Sequence, residues 1–80
     1  MAFKDFEILI KEGGDHREAF VEIYFQGIFF GRITQEEGFD RLEIEIYHCP
    51  ESDHWTFLLD DFLKMIELSK QRLWDLRKDD

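Results

Sequence analysis

Residues 20–33, FVEIYFQGIFFGRI, decide the fold of this chain. Phe20 to Phe25 and Ile28 to Ile33 are rich in aromatic and β-branched residues, and Gln26-Gly27 lies between them. Glycine supplies the positive φ that a two-residue hairpin loop demands, so the stretch reads as a β-hairpin. With that loop, Phe25 faces Ile28, Tyr24 faces Phe29 and Ile23 faces Phe30. Paired residues share a face, and faces alternate along each strand. One face is expected to carry Val21, Ile23, Phe25, Ile28, Phe30 and Arg32. The other is expected to carry Phe20, Glu22, Tyr24, Phe29, Gly31 and Ile33. Both faces are apolar, the second mixed with charge.

Working outward, residues 6–11, FEILIK, alternate Phe6, Ile8 and Ile10 against Glu7, Leu9 and Lys11, the period of a strand with one core face. Glu12-Gly13-Gly14-Asp15 reads as the turn into the hairpin, and residues 35–40, QEEGFD, as a longer connection after it. Residues 42–48, LEIEIYH, alternate again: Leu42, Ile44 and Ile46 are expected in the core, with Glu43, Glu45 and Tyr47 pointing away. The chain's one proline, in residues 49–54 (CPESDH), ends that strand. Residues 55–58 read as extended, a short fifth strand at most. A helix follows, with Asp60 as its N-cap, running to about Arg77. Phe62, Ile66, Ser69, Leu73 and Leu76 fall on one face of it, flanked by Leu59 and Met65. Strands followed by one helix argue an α+β fold. The expectation is one domain, residues 1–80, with a four- or five-stranded antiparallel meander and a C-terminal helix on one face.

Composition narrows the function classes. With 44% hydrophobic residues and nine Phe, the chain can build an aromatic core. One cysteine, Cys49, allows no internal disulfide, which favours a reducing compartment. The first residues carry charges throughout and lack a long apolar run, so neither a secretory signal nor a membrane span is expected, and the location expected is cytoplasmic. The net charge is −9. Residues 1–58 hold 13 acidic and 5 basic side chains; residues 59–80 hold 6 and 5. Direct nucleic-acid binding needs clustered Lys and Arg, and the strand half is acidic instead.

No constellation reaches the specificity of a catalytic or cofactor motif. His48, Cys49, Asp53 and His54 have metal-ligand side chains, but their spacing lacks the paired ligands two to four residues apart that zinc sites use. His48 and Cys49 are neighbours in an extended stretch, which sends them to opposite sides and argues against a nucleophile–base pair. Glu43 and Glu45 share a face, where a solvated acidic surface explains them better than acid–base catalysis. Gly13-Gly14 is a turn signal without a phosphate-binding motif around it.

The reading is therefore a non-enzymatic small acidic protein-binding module, of the inhibitor, immunity or anti-defence kind, acting on a basic protein partner, with no cofactor and no metal. The expected partner-binding or dimer face carries Phe20, Glu22, Tyr24, Phe29, Ile33, Glu43, Glu45 and Tyr47. One helix covers one face of a four-stranded sheet, so a homodimer is expected to cover the other. The alternatives are a small metal- or thiol-dependent enzyme using residues 48–54, or a structural subunit of a larger assembly.

Overall fold

The structure is a computed structural model that describes residues 5–14 and 16–76. The decisive loop forms as its residues require: Gln26 and Gly27 both take positive φ, 51° and 82°. That pair of left-handed residues is the backbone of a type I′ turn, whose twist matches two antiparallel strands. Phe25 pairs with Ile28 across it, joining β2 (His16–Phe25) to β3 (Ile28–Thr34). β1 (Phe6–Gly13) pairs antiparallel with β2 and β4 (Glu43–Ile46) antiparallel with β3, giving the spatial order β1-β2-β3-β4. A 3-10 turn, Phe39–Arg41, precedes β4, and the helix α1 (Leu59–Leu76) packs on β1 and β2. The chain is an α+β fold: a four-stranded antiparallel meander with one C-terminal helix on it.

The register departs from the simple hairpin at one point. Tyr24 faces Phe29, but Ile23 faces Gly31, so Phe30 is an extra residue on β3. A bulge of this kind exchanges the two faces beyond it. Glu22 consequently pairs with Arg32 and Val21 with Ile33. Arg32, expected on the core face, lies on the outer one. Ile33, expected on the outer face, is buried in the core. Gly31 sits at the bulge because β4 passes very close: a Cβ there would collide with the backbone carbonyl oxygen of Glu45.

Phe6, Val21, Ile23, Phe30, Ile33, Met65 and Leu73 form the buried core. Trp55 and Phe57 turn inward and Leu58 outward, the alternation of an extended segment, and no fifth strand forms among the described residues. Phe57 is the hub of the aromatic cluster, with ring centroids 4.6 Å from Phe25, 5.0 Å from Phe6 and 5.1 Å from Phe30, and it stacks on Phe62.

Two further expectations are corrected. Ile44 and Ile46 do not enter the core; they are 41% and 56% exposed. A helix is about 10 Å wide and strands are about 4.8 Å apart, so a helix over β1 and β2 leaves β4 uncovered. The helix also starts at Leu59, with Phe62 N–H donating to the Leu58 carbonyl at 3.0 Å, so Asp60 is not the N-cap; Asp60 and Asp61 both lie in the first turn. There their charge still suits the positive end of the helix dipole. Its buried line runs Met65, Ser69, Leu73, while Leu59 and Leu76 are exposed. The expected helix end at Arg77 lies outside the described residues.

Candidate functional site

The face of the sheet opposite α1 has no other element packed on it among the described residues. The pairings bring Glu7 and Leu9 of β1, Glu22 and Tyr24 of β2, Arg32 of β3, and Glu43 and Glu45 of β4 to this outer face, where Phe29 and Tyr47 join them. The alternation of each strand builds the face: the partner of each outward residue is itself outward.

Its centre is a row of rings. Tyr24 meets Phe29 edge-on at 5.5 Å between centroids, and Phe29 meets Tyr47 at 5.0 Å. Such tilted contacts fix ring orientation across neighbouring strands. Arg32 lies beside the row, its guanidinium carbon 5.9 Å from the ring centroids of both Phe20 and Tyr47. Arg32 Nε donates to Glu45 Oε1 at 2.6 Å, and this hydrogen bond is the main reason the guanidinium holds its proton more firmly than usual. The Tyr24 hydroxyl donates to Glu22 at 3.2 Å and the Tyr47 hydroxyl to Glu45 at 3.3 Å. Desolvation pushes the Tyr24 phenol up, and the neighbouring Glu22 carboxylate adds to the effect. An open concavity at one end of the face is lined by Lys11, Glu12, Phe20, Glu22 and Arg32, so its charges balance. Away from it Glu7, Glu43 and Glu45 make the face acidic.

Of the eight residues expected on this face, seven lie there. Phe20 is almost fully buried beneath Arg32, Tyr24 and Phe29 are half-buried against each other, and Tyr47 is 41% exposed. Ile33 is the exception, moved to the core by the bulge. Arg32 is the residue the alternation misplaced, and its own chemistry was the available signal. An arginine on an otherwise apolar core face would bury a charge without a partner, a costly arrangement that a one-residue shift removes.

Beyond this face, Glu36 ties the connection after β3 to the start of β2. Its carboxylate accepts from the backbone N–H groups of Glu18 at 2.9 Å and Arg17 at 3.0 Å, and those two bonds hold its pKa below the usual glutamate value. Gln35 beside it is buried and donates to the Ala19 carbonyl at 3.0 Å. The side chains of residues 48–54 are dispersed: Cys49 is buried, His48 is exposed, and His54 Nδ1 lies 2.7 Å from Asp53 Oδ1 at the surface. Among the described residues no three His, Cys, Asp or Glu side chains converge as a ligand set for a metal ion. No described helix is long and apolar enough to cross a membrane. Compared with protein-family models, with curated proteins and with solved structures, the chain has no match.

Proposed function

We propose that the chain is a non-enzymatic protein-binding module that holds a basic protein on the outer face of its sheet, in the manner of a small inhibitor. The observation that carries the reading is the row Tyr24, Phe29 and Tyr47, held in edge-on and tilted ring contacts and bordered by Glu7, Glu22, Glu43 and Glu45 on the uncovered side of the sheet. Rings already held in place lose little freedom when a partner packs on them, and the carboxylates around them steer cationic surfaces into contact. The overall charge of −9 extends that steering field over the molecule.

The test is capture from the native host at low salt, using wild type, Glu43→Lys/Glu45→Lys and Phe29→Ala. The expected result is a basic protein retained by wild type, with association slowed by added salt and by the charge reversal, and with dissociation quickened by Phe29→Ala. A partner that binds equally well at high salt, or that both variants retain, overturns the reading.

Two-fold self-association through the same face is the second reading. It is favoured by Leu9 and Tyr47, which stay 37% and 41% exposed there. Lys11 and Arg32 are the cations that would meet the facing carboxylates across the axis.

A further inference from the structure

The outer face is not the whole of the exposed surface, because β4 is an edge. It pairs with β3 on one side, and all four of its residues are exposed. Tyr47 N–H donates to the Phe30 carbonyl at 2.8 Å, which sets the phase of the ladder. Backbone groups alternate in direction along an antiparallel strand. Those of Glu43 and Glu45, like the Tyr47 N–H, therefore point to β3, and those of Ile44 and Ile46 point away from the sheet. The edge thus offers two N–H and two C=O groups to an incoming strand. Its side chains are segregated as well. Glu43 and Glu45 lie on the outer face, and Ile44 and Ile46 lie on the helix side, where α1 does not reach them. The Phe39–Trp74 ring contact, at 4.9 Å, turns one flank of α1 toward the β4 side of the molecule. Helical spacing puts Leu63 and Leu59, both at least half exposed, on that same flank. An apolar strip and an acidic strip therefore run along the two sides of one open edge.

From this juxtaposition we infer that the β4 edge is a docking site for an extended segment of a partner in which basic and apolar residues alternate, added antiparallel as a fifth strand. Main-chain bonds to Ile44 and Ile46 hold the segment. Its Lys or Arg side chains fall beside Glu43 and Glu45, and its apolar ones beside Ile44 and Ile46. The same charges select against a second copy. Two-fold antiparallel registers centred on Glu43, Ile44 or Glu45 set a glutamate opposite a glutamate, and like charges directly opposite each other destabilise a pair; only the register centred on Ile46, at the end of the strand, avoids this. A charged edge strand that repels its own copy and attracts the opposite charge is specific by exclusion as much as by attraction. The inference rests on the reading of a basic partner and adds to the outer face a second contact, the β4 edge, with the conformation of the segment that docks there.

The experiment uses the full chain, isotopically labelled, with an end-blocked hexapeptide alternating Lys and Val. The control is a peptide of the same composition with three Lys followed by three Val. The alternating peptide is expected to slow amide hydrogen exchange at Ile44 and Ile46 and to bind about tenfold tighter than the block peptide. Ile44→Pro removes an N–H that points to solvent, a place where an edge strand tolerates proline. It is expected to weaken binding about tenfold while circular dichroism stays unchanged. Glu43→Lys leaves the backbone intact and is expected to weaken binding in the same direction. Binding that perturbs Tyr24, Phe29 and Tyr47 while exchange at Ile44 and Ile46 is unaltered overturns the edge site and leaves the outer-face reading standing. Protection of Ile44 and Ile46 that grows with protein concentration in the absence of peptide overturns it in favour of a second copy. Equal binding of the two peptides, or none, also overturns it.

Discussion

Gly31 shows how a single residue sets the geometry of the sheet. Its φ lies outside the left-handed region, so the need for glycine there comes from space and not from backbone conformation: the Glu45 carbonyl occupies the volume a Cβ would fill. Gly31→Ala is expected to push β4 outward and to destabilise by about 1–3 kcal/mol, the usual cost of overpacking. Urea denaturation reads the loss, and faster exchange of the Tyr47 amide, which donates to Phe30 across the same ladder, reads its location. Glu36 acts through charge. Its pKa is lowered by the two backbone N–H groups it accepts from. A depressed pKa stabilises the fold above the unfolded value of about 4.3, and that contribution is lost as pH falls through the folded value. Glu36→Gln is therefore expected to lower the melting temperature at neutral pH, and its gap to wild type is expected to close as the solution is acidified below about pH 4. A gap independent of pH would show that the carboxylate charge is not what holds Arg17 and Glu18.

At the scale of the elements, α1 is positioned by the narrow stripe Met65, Ser69 and Leu73. Ser69 is buried, with its hydroxyl 3.6 Å from the Met65 sulfur, and its small side chain lets the helix approach the sheet. Leu73→Ala is expected to cost about 2–5 kcal/mol, since Leu73 is fully buried in the core. Leu76→Ala, three residues on and 43% exposed, is expected to cost no more than about 1 kcal/mol. Thermal melts of the pair discriminate the stripe from a helix face centred nearer Leu76. The segment before the helix contributes to the core as well. Phe57 and Trp55 fill the space between the hairpin end of the sheet and the start of α1, and the Trp55 indole N–H donates to the Tyr47 carbonyl at 2.9 Å. An irregular connection thus supplies a large share of the aromatic core.

For the whole molecule, charge and exposed surface decide how it meets other proteins. Exposed charges are screened over about 8–10 Å at physiological ionic strength, so association with a basic partner is expected to slow steeply between low and physiological salt. Stopped-flow rates across a salt series measure this directly, and a flat series would place the binding energy in apolar contacts instead. Self-association has its own measurement. Light scattering at micromolar concentration is expected to give a dimer mass if the outer face pairs with its copy, and Phe29→Glu is expected to return it to monomer. A dimer that Phe29→Glu leaves intact would place the interface elsewhere, with the flank of α1 that carries Trp74, which is 45% exposed, the next surface to probe.

Local chemistry carried the sequence reading a long way. Gln26-Gly27 specified the hairpin loop, strict alternation specified β1 and β4 as strands, and helical spacing specified α1, because each of these depends on residues within a few positions of one another. The outer face was legible for the same reason, as far as Phe20, Glu22, Tyr24, Phe29, Glu43, Glu45 and Tyr47. What alternation could not contain was the bulge at Phe30, beside which a β4 carbonyl approaches Gly31 from another part of the chain. The bulge sends Arg32 outward and Ile33 inward. Nor could it contain the lateral position of α1: an amphipathic helix announces that it has a buried face, but which two of four strands it covers is settled by how Phe57, Phe62, Met65 and Leu73 pack on Phe6, Ile23 and Phe30. Ile44 and Ile46 have the pattern of core residues and stay exposed because one helix is too narrow to span four strands.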